Sequence, residues 1–179
     1  MNLLQNNLLE IISALSMRSY VNNETVVRFK NRLLKSSKLT RDENVKAHFC
    51  AFFIPFDPSQ NKVFFVHHKK AQDWIPPGGH IDEDELPLAT VMREYKEELG
   101  NKIKPDKISL YNISYKKIEN SPTCEEHFDL WYVVKTPVKV FKIDTEEFYD
   151  ARWINKDKVQ EIMKTQAFLE VFKSFPGVF

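Results

Sequence analysis

A long run of apolar residues limits the possible folds of this chain more than any other feature. The run begins at Val45 and reads VKAHFCAFFIPF, and a second run, KVFFVHH, follows after the turn-forming segment DPSQN. Residues in a strand face alternate sides, so a strand that is apolar at nearly every position must be covered on both faces. The sequence therefore predicts a central strand, a hairpin, and a layered α/β/α domain.

Further segments complete this predicted domain. Strands are expected at about 107–118, 127–135 and 149–154. Two late helices are expected, one after Asn155 as its cap and one around TQAFLEVFKSF. Strands mixed with helices in this way are typical of the α/β class.

Two amphipathic helices are predicted before the domain, at roughly 2–17 and 24–36, because apolar residues recur there at helical spacing. The polar connector KSSKLTRDEN follows them. We therefore divide the chain into an N-terminal helical extension, 1–44, and a main domain, 45–179. The apolar stripes of the two helices must be buried either against the main domain or against a partner, and the second option includes a homodimer formed through these helices.

The charge and the cysteine content argue against several classes of function. The formal net charge is +1, so no bulk electrostatic attraction to nucleic acid or to a membrane surface is expected. The two cysteines indicate neither a disulfide framework nor a cysteine-rich metal site, and Cys50 is expected to be a small buried thiol. The first residues have no basic start and no long apolar stretch, so a cytoplasmic protein without a membrane span is expected.

The segment LPLATVMREYKEELG, residues 86–100, has the pattern of a helix. Pro87 suits the first helical position, and Gly100 suits the C-terminal cap. Apolar residues spaced along one predicted face are expected to anchor the helix to the sheet. They are Leu88, Met92, Tyr95 and Leu99.

The same helix carries three acidic residues near its C-terminal end. They are Glu94, Glu97 and Glu98. Like charges at these spacings repel each other, and the helix dipole favours cations at this end. The acids therefore form either a solvated acidic face or a site for Mg²⁺ or Mn²⁺, which bind carboxylate oxygens. The second interpretation is favoured because Gly78, Gly79 and Gly100, three of only four glycines, flank this loop and helix.

The loop and the helix together carry a motif that resembles the signature of the Nudix hydrolases, G-x5-E-x7-R-E-U-x-E-E-x-G-U, with U a bulky aliphatic residue. Its seven fixed positions are occupied here by Gly79, Glu85, Arg93, Glu94, Glu97, Glu98 and Gly100. Tyr95 and Asn101 stand at the two aliphatic positions, and Leu86, which cannot cap the helix through its side chain, replaces a small polar residue. The resemblance implies a Nudix-type α/β/α sandwich with a mixed sheet, following the two N-terminal helices.

The resemblance also implies an activity, namely metal-dependent hydrolysis of a pyrophosphate linkage in a nucleoside diphosphate derivative. A nucleoside triphosphate is the leading substrate, while ADP-ribose, nucleotide sugars and dinucleoside polyphosphates stay open. The alternative is a catalytically inactive Nudix-fold protein that binds nucleotides or regulates another process. Such proteins commonly lose acids from the motif, whereas this chain retains them all.

The resemblance assigns roles to the motif residues. The catalytic residues and metal ligands for Mg²⁺ or Mn²⁺ are Glu94, Glu97 and Glu98. One of these acids, either Glu98 or a neighbour, is expected to act on the attacking water. The residues with a structural role in the loop and helix are Gly78, Gly79, Glu85, Arg93 and Gly100. Glu85 is expected either to pair with Arg93 or to reach the metal.

Other candidates lie outside the motif. The loop KKIENSPTCEEH contributes the acids Glu119, Glu125 and Glu126, which are either solvated or recruited to the site. His80 either contacts phosphate or holds the loop, and Trp74 either stacks on a base or anchors the loop. His127 and Asp129 share one face of a predicted strand, which faces either solvent or the cleft.

Overall fold

A computed structural model describes residues 2–118 and 124–175 of the chain. The helices are α1 (Leu3–Ser16), α2 (Asn23–Lys35), α3 (Pro87–Leu99), α4 (Val159–Ile162) and α5 (Gln166–Lys173). The strands are β1 (Ala47–Asp57), β2 (Lys62–His68), β3 (Asp73–Ile75), β4 (Gly78–His80), β5 (Ile108–Lys117), β6 (Glu126–Lys135) and β7 (Phe148–Asn155). Short 3-10 helices at Pro105–Lys107 and Lys156–Lys158 precede β5 and α4. Of the described helices, none combines the length and the apolarity that a membrane span requires.

Strand β1 lies inside a mixed sheet. It runs parallel to β6 from Ala47, opposite Glu126, to Phe56, opposite Lys135, and antiparallel to β2 and β4. The strand order is β3-β2-β1-β6-β5, with β4 also pairing with β1 and β7 with β2. Helices α2 and α3 pack on one face of β1 and α5 on the other. The predicted sandwich with a mixed sheet is therefore confirmed.

Helix α3 packs on the sheet through a face that differs slightly from the predicted one. Tyr95 and Leu99 are fully buried, as expected. Leu88, however, is 38% exposed, so its assignment to the buried stripe was wrong, and Val91 is fully buried instead. The buried face is rotated because Glu98 is also directed inward and keeps only 4% of its surface exposed. The helix thus buries a carboxylate together with its apolar residues.

Helices α1 and α2 pack against the main domain. Leu8 and Ile12 of α1 and Phe29 of α2 are fully buried. The ring of Phe29 contacts Phe49 of β1 and Phe128 of β6, with centroids 5.6 and 5.3 Å apart. The apolar stripes are therefore buried against the main domain, the first of the two predicted possibilities. A homodimer formed through these helices stays a prediction.

The packing of α2 can be tested by comparing a buried and an exposed position on the same helix. Phe29→Ala is expected to lower the free energy of unfolding by about 3–5 kcal/mol, because it leaves a cavity between α2 and the sheet. Val27→Ala, at a position that is 55% exposed, is expected to change it by less than about 0.5 kcal/mol. Denaturant unfolding measures both values, and equal effects would mean that α2 is not part of the core.

Candidate active site

The loop before α3 lies directly on β1. In the antiparallel ladder Gly78 is opposite Phe52, and Gly79 is opposite Ala51. Gly78 has a φ of 140°, and a Cβ at this position would lie 2.5 Å from the carbonyl oxygen of Ala51. Both the backbone angle and the close approach therefore require glycine at position 78.

Gly79 makes room for a carboxylate. A Cβ at this position would collide with Oε1 of Glu94, so the side chain of Glu94 lies against the loop. That side chain is only 13% exposed. Burial raises the pKa of Glu94 to about 7, with contributions from the negative charges of Glu97 and Glu147, although the neighbouring Arg93 opposes the shift.

The guanidinium of Arg93 joins the loop to the helix. Its Nε and Nη2 donate to the two carboxylate oxygens of Glu85, each at 3.0 Å, and Nη2 also donates to the carbonyl oxygen of His80 at 3.0 Å. Its Nη1 donates to Glu94 at 2.8 Å and to Glu97 at 3.0 Å. The predicted pairing of Glu85 with Arg93 is therefore present. Burial alone would raise the pKa of Glu85, but the hydrogen bonds from Arg93 and from a threonine hydroxyl outweigh this effect and lower it.

Glu98 is a buried carboxylate held by the glycine loop. The backbone N–H of Gly78 donates to its Oε2 at 2.7 Å. Burial and the nearby Glu94 raise the pKa of Glu98 well above its ordinary value, against the opposing effect of the Gly78 hydrogen bond. Burying a carboxylate costs free energy unless a cation or several hydrogen bonds compensate it. Glu98 therefore marks a position where a nearby cation is favourable.

Acids outnumber cations around Arg93. Four carboxylates lie within ion-pair distance of its guanidinium, at 2.8 to 3.4 Å, and they are Asp82, Glu85, Glu94 and Glu97. Glu98 adds a fifth acid beside Glu94. One guanidinium carries a single positive charge, so the group as a whole keeps an excess of negative charge. Such a set of oxygen donors suits a hard divalent cation.

Two acids that the sequence analysis did not single out lie beside this group. The backbone N–H of Asp144 donates to the carbonyl oxygen of Glu98 at 3.1 Å. Glu147, in the turn before β7, adds to the effect of burial and raises the pKa of both Glu94 and Glu98. The segment DTEE is a visible acidic signal in the sequence. Only the fold brings this segment next to α3, so its position in the sequence gave no indication that it lies beside the acids of that helix.

The acids of the loop before β6 do not join this group. Glu126 lies opposite Ala47 in the β1–β6 ladder, whereas the glycine loop lies opposite Ala51. The two positions are thus four residues apart on β1, or about 13 Å at 3.3 Å per residue. Glu125 forms an exposed ion pair with a lysine at 2.6 Å. Glu119 lies outside the described residues.

Trp74 packs against neighbouring side chains of the sheet. It lies opposite His67 in the β2–β3 ladder, and the two rings are stacked with centroids 5.0 Å apart. The guanidinium carbon of Arg152 is 3.8 Å from the centroid of the Trp74 ring. These contacts fit the second of its predicted roles, an aromatic anchor for the loop.

The ring of His80 belongs to the other face of the sheet. Gly79 faces the acids of α3, and successive residues of a strand face opposite sides, so His80 points away from those acids. Its ring contacts His48 and His127, with centroids 4.7 and 5.4 Å apart. Asp129 on the same face is fully buried. The sequence analysis did not decide whether the strand face with His127 and Asp129 meets solvent or the cleft. That face is largely covered by other residues.

Burial keeps these histidines uncharged at neutral pH. Burial, with repulsion from neighbouring positive charges, lowers the pKa of His80 and of His127 to about 3. Burial also lowers the pKa of His48. On the same face, burial raises the pKa of Asp129 to about 7. The imidazoles thus present free electron pairs instead of positive charges.

Comparison with known proteins agrees with the motif. The family model of the NUDIX domain matches residues 47–175 of the chain. A match of this extent shows membership, so the chain belongs to the Nudix hydrolase family, as the spacing of the seven motif residues predicted.

Several similar proteins are named for their activities. The RNA pyrophosphohydrolase of Pseudoalteromonas translucida is 26% identical over 113 residues, which cover 54% of this chain and 64% of that protein, slightly less than two thirds of its length. The dihydroneopterin triphosphate diphosphatase of Haemophilus influenzae is 27% identical over 135 residues, which cover 68% of this chain and 83% of that protein. The structure of the E. coli dihydroneopterin triphosphate pyrophosphohydrolase has a TM-score of 0.62 at 15% identity, covering 71% of this chain and 93% of that one. This last likeness supports the fold.

The two glycines give a matched pair of variants. Gly79→Ala is expected to displace the carboxylate of Glu94 and lower turnover by about 10-fold or more, while the free energy of unfolding changes by no more than about 1 kcal/mol. Gly78→Ala collides with backbone atoms at an unfavourable φ and is expected to cost on the order of 3 kcal/mol. Steady-state kinetics and denaturant unfolding separate the two effects. Full turnover of Gly79→Ala would show that the position of Glu94 against the loop is unimportant.

Proposed function

We propose that this protein is a metal-dependent hydrolase that cleaves a phosphoanhydride bond in a small molecule carrying a triphosphate. The observation that supports this most strongly is the group of three carboxylates on α3, whose negative charge exceeds what Arg93 can balance. Membership in the Nudix hydrolase family supports the same reaction class. The group, the glycine loop and the acidic turn before β7 together form the site.

The donor set fits a hard divalent cation such as Mg²⁺ or Mn²⁺. Glu94 and Glu97 each use one oxygen for Arg93, and Glu98 uses one oxygen for the Gly78 N–H, so each carboxylate has a second oxygen to offer. Carboxylate oxygens are the ligands that these ions prefer. When bound, such an ion neutralises phosphate oxygens and polarises the anhydride.

The side chains of the protein perform the remaining tasks. Glu94, Glu97 and Glu98 would hold the cation, and Arg93 fixes their helix against the loop. Glu98 is buried and bound to the loop, so we assign it to the cation and not to the attacking water. Glu147, which is exposed in the turn before β7, accepts a proton from that water. The water oxygen bonds to phosphorus, and the P–O–P bond breaks to release two phosphorylated products.

The names of the relatives support a substrate class. One similar protein is named for dihydroneopterin triphosphate, and another is named an RNA pyrophosphohydrolase. A nucleoside triphosphate, the leading substrate from the sequence, shares the triphosphate group with the first of these. We therefore propose a substrate in which a triphosphate is attached to a nucleoside or a pterin.

A substrate panel tests the activity directly. It contains nucleoside triphosphates with ordinary and oxidised bases, dihydroneopterin triphosphate, 5′-triphosphorylated RNA, ADP-ribose, a nucleotide sugar and a dinucleoside polyphosphate. Phosphate or pyrophosphate release is measured with Mg²⁺, with Mn²⁺ and with EDTA. We expect turnover of a triphosphate that EDTA abolishes. Tight binding of one compound with no turnover of any would support the inactive nucleotide-binding alternative.

Glu98→Gln tests the assignment of the buried acid. The variant is expected to lose turnover by about 10²-fold or more, because a neutral amide holds a cation less well. Its melting temperature in EDTA is expected to equal or exceed that of the wild type, because the substitution removes a buried acid whose ionisation is unfavourable next to Glu94. Wild-type turnover in this variant would contradict the assignment.

Glu147→Gln tests the proton acceptor, and its neighbour in the same turn provides the control. Glu147→Gln is expected to lower kcat by about 10²-fold, with little change in KM or in melting temperature. Glu146→Gln, which removes the same charge from an equally exposed residue, is expected to retain kcat. Equal effects of the two substitutions would mean that Glu147 contributes only general negative charge.

A further inference from the structure

We infer that the protein has a second metal site, for Zn²⁺, on the sheet face opposite α3. Its four ligands are His48, Cys50, His80 and His127. One potential ligand atom from each of these residues, a ring nitrogen or the sulfur, lies within 4.8 Å of all the others. None of the four belongs to the group of acids on α3, so the proposed site is separate from the catalytic one.

The donors match zinc chemistry. Zinc prefers imidazole nitrogen and thiolate sulfur at about 2.0–2.3 Å, so tetrahedral ligand atoms lie about 3.5 Å apart. Separations of up to 4.8 Å therefore need to close by at most about 1.3 Å, which side-chain rotation can supply. Mg²⁺ and Mn²⁺ favour oxygen ligands instead. The two sites of the protein thus select different ions.

The sheet itself places the ligands together. His48 lies opposite His127 in the parallel ladder of β1 and β6, and Cys50 lies opposite His80 in the antiparallel ladder of β1 and β4. These pairs share one face because His48 and Cys50 are two residues apart on β1. The site is therefore formed by three hydrogen-bonded strands and requires no loop to close.

Two histidines have the hydrogen-bonding state of metal ligands. Nδ1 of His48 lies 3.1 Å from the carbonyl oxygen of Asn44, so this nitrogen carries the hydrogen, while Nε2 keeps its electron pair and faces Sγ of Cys124 at 3.8 Å. A backbone carbonyl behind a ligating histidine is the usual support of a metal site. Nε2 of His127 is buried and has no hydrogen-bond partner among the described residues. An unpartnered buried nitrogen is costly unless a ligand satisfies it.

The four ligands differ in their burial. His48 and Cys50 are essentially fully buried, whereas His80 and His127 are half-buried, so the last two are the ligands nearer to solvent. Cys50 lies opposite Asp129 in the parallel ladder of β1 and β6. When the S–Zn bond forms, the S–H bond breaks and its proton passes to solvent, with no change of oxidation state. The exchange needs only zinc and water.

Four protein ligands would give the ion a structural role. Closed four-ligand sites stabilise a fold, whereas catalytic zinc sites keep an open position. Here the ion would tie β4 to β1 and β6. Because β4 also contains the glycines that contact Glu94 and Glu98, zinc would fix the loop that the catalytic acids depend on.

Cobalt provides the most direct test, because Co²⁺ replaces Zn²⁺ and is visible by absorption. Protein without an affinity tag is freed of metal and titrated with Co²⁺, then with Zn²⁺, and its melting temperature is measured with and without Zn²⁺. We expect a thiolate-to-cobalt charge-transfer band, ligand-field bands of tetrahedral intensity, loss of both on adding Zn²⁺, and a higher melting temperature with Zn²⁺.

Matched variants decide whether these four residues are responsible. Cys50→Ser is expected to lose the charge-transfer band. His127→Gln, at a half-buried position, is expected to lose the tetrahedral spectrum and the zinc-dependent rise in melting temperature. His67→Gln and Glu98→Gln are the controls and should keep the charge-transfer band and the zinc-dependent rise in melting temperature. Cys124→Ser removes the other thiol, which lies 3.8 Å from Nε2 of His48, and should also keep the band if Cys50 is the sulfur ligand. The proposal is overturned by absence of the band in the wild type, by its loss in Cys124→Ser, or by an equal zinc effect in the wild type and in folded His127→Gln.

Discussion

The guanidinium of Arg93 makes five hydrogen bonds, and these organise the site. Its bonds to Glu85 and to the carbonyl oxygen of His80 hold the glycine loop on α3, while its bonds to Glu94 and Glu97 orient two of the acids. A guanidinium has five N–H donors in a fixed plane, whereas a lysine ammonium has only three donors. The same residue leaves the group negatively charged, because its one positive charge is shared among several acids. Arg93 therefore both positions the acids and leaves them with the excess negative charge that favours a bound cation.

Strand β4 connects the two proposed metal sites. Its residues alternate between faces, so Gly79 lies against Glu94 while the next residue, His80, points toward His48 and His127. The neighbouring Gly78 pairs with β1 and donates to Glu98. A change in the position of this short strand would therefore move groups on both faces. This explains physically why glycine is concentrated in so short a segment of the chain.

The sequence predicted the features that depend on local pattern. The long helices and strands follow from periodicity and the membership in the Nudix hydrolase family from fixed spacing, and these were confirmed. The pairing of Glu85 with Arg93, one of two options that the family resemblance implied, is present. Features that depend on tertiary contacts were wrong or missed. The exposure of Leu88 follows from the inward direction of Glu98, and the proximity of Glu147 to α3 arises only on folding. The strands β3 and β4 are too short to show a pattern of their own.

The central claim is that the acids of α3 bind a divalent cation at which a phosphoanhydride is cleaved. Diffraction from crystals soaked in Mn²⁺ and a non-hydrolysable triphosphate tests it most directly, because manganese can be located by its anomalous scattering. The account predicts an anomalous peak in contact with the carboxylate oxygens of Glu94 and Glu98 and with a phosphate oxygen. Nucleotide bound elsewhere, or manganese only away from these acids, would contradict it.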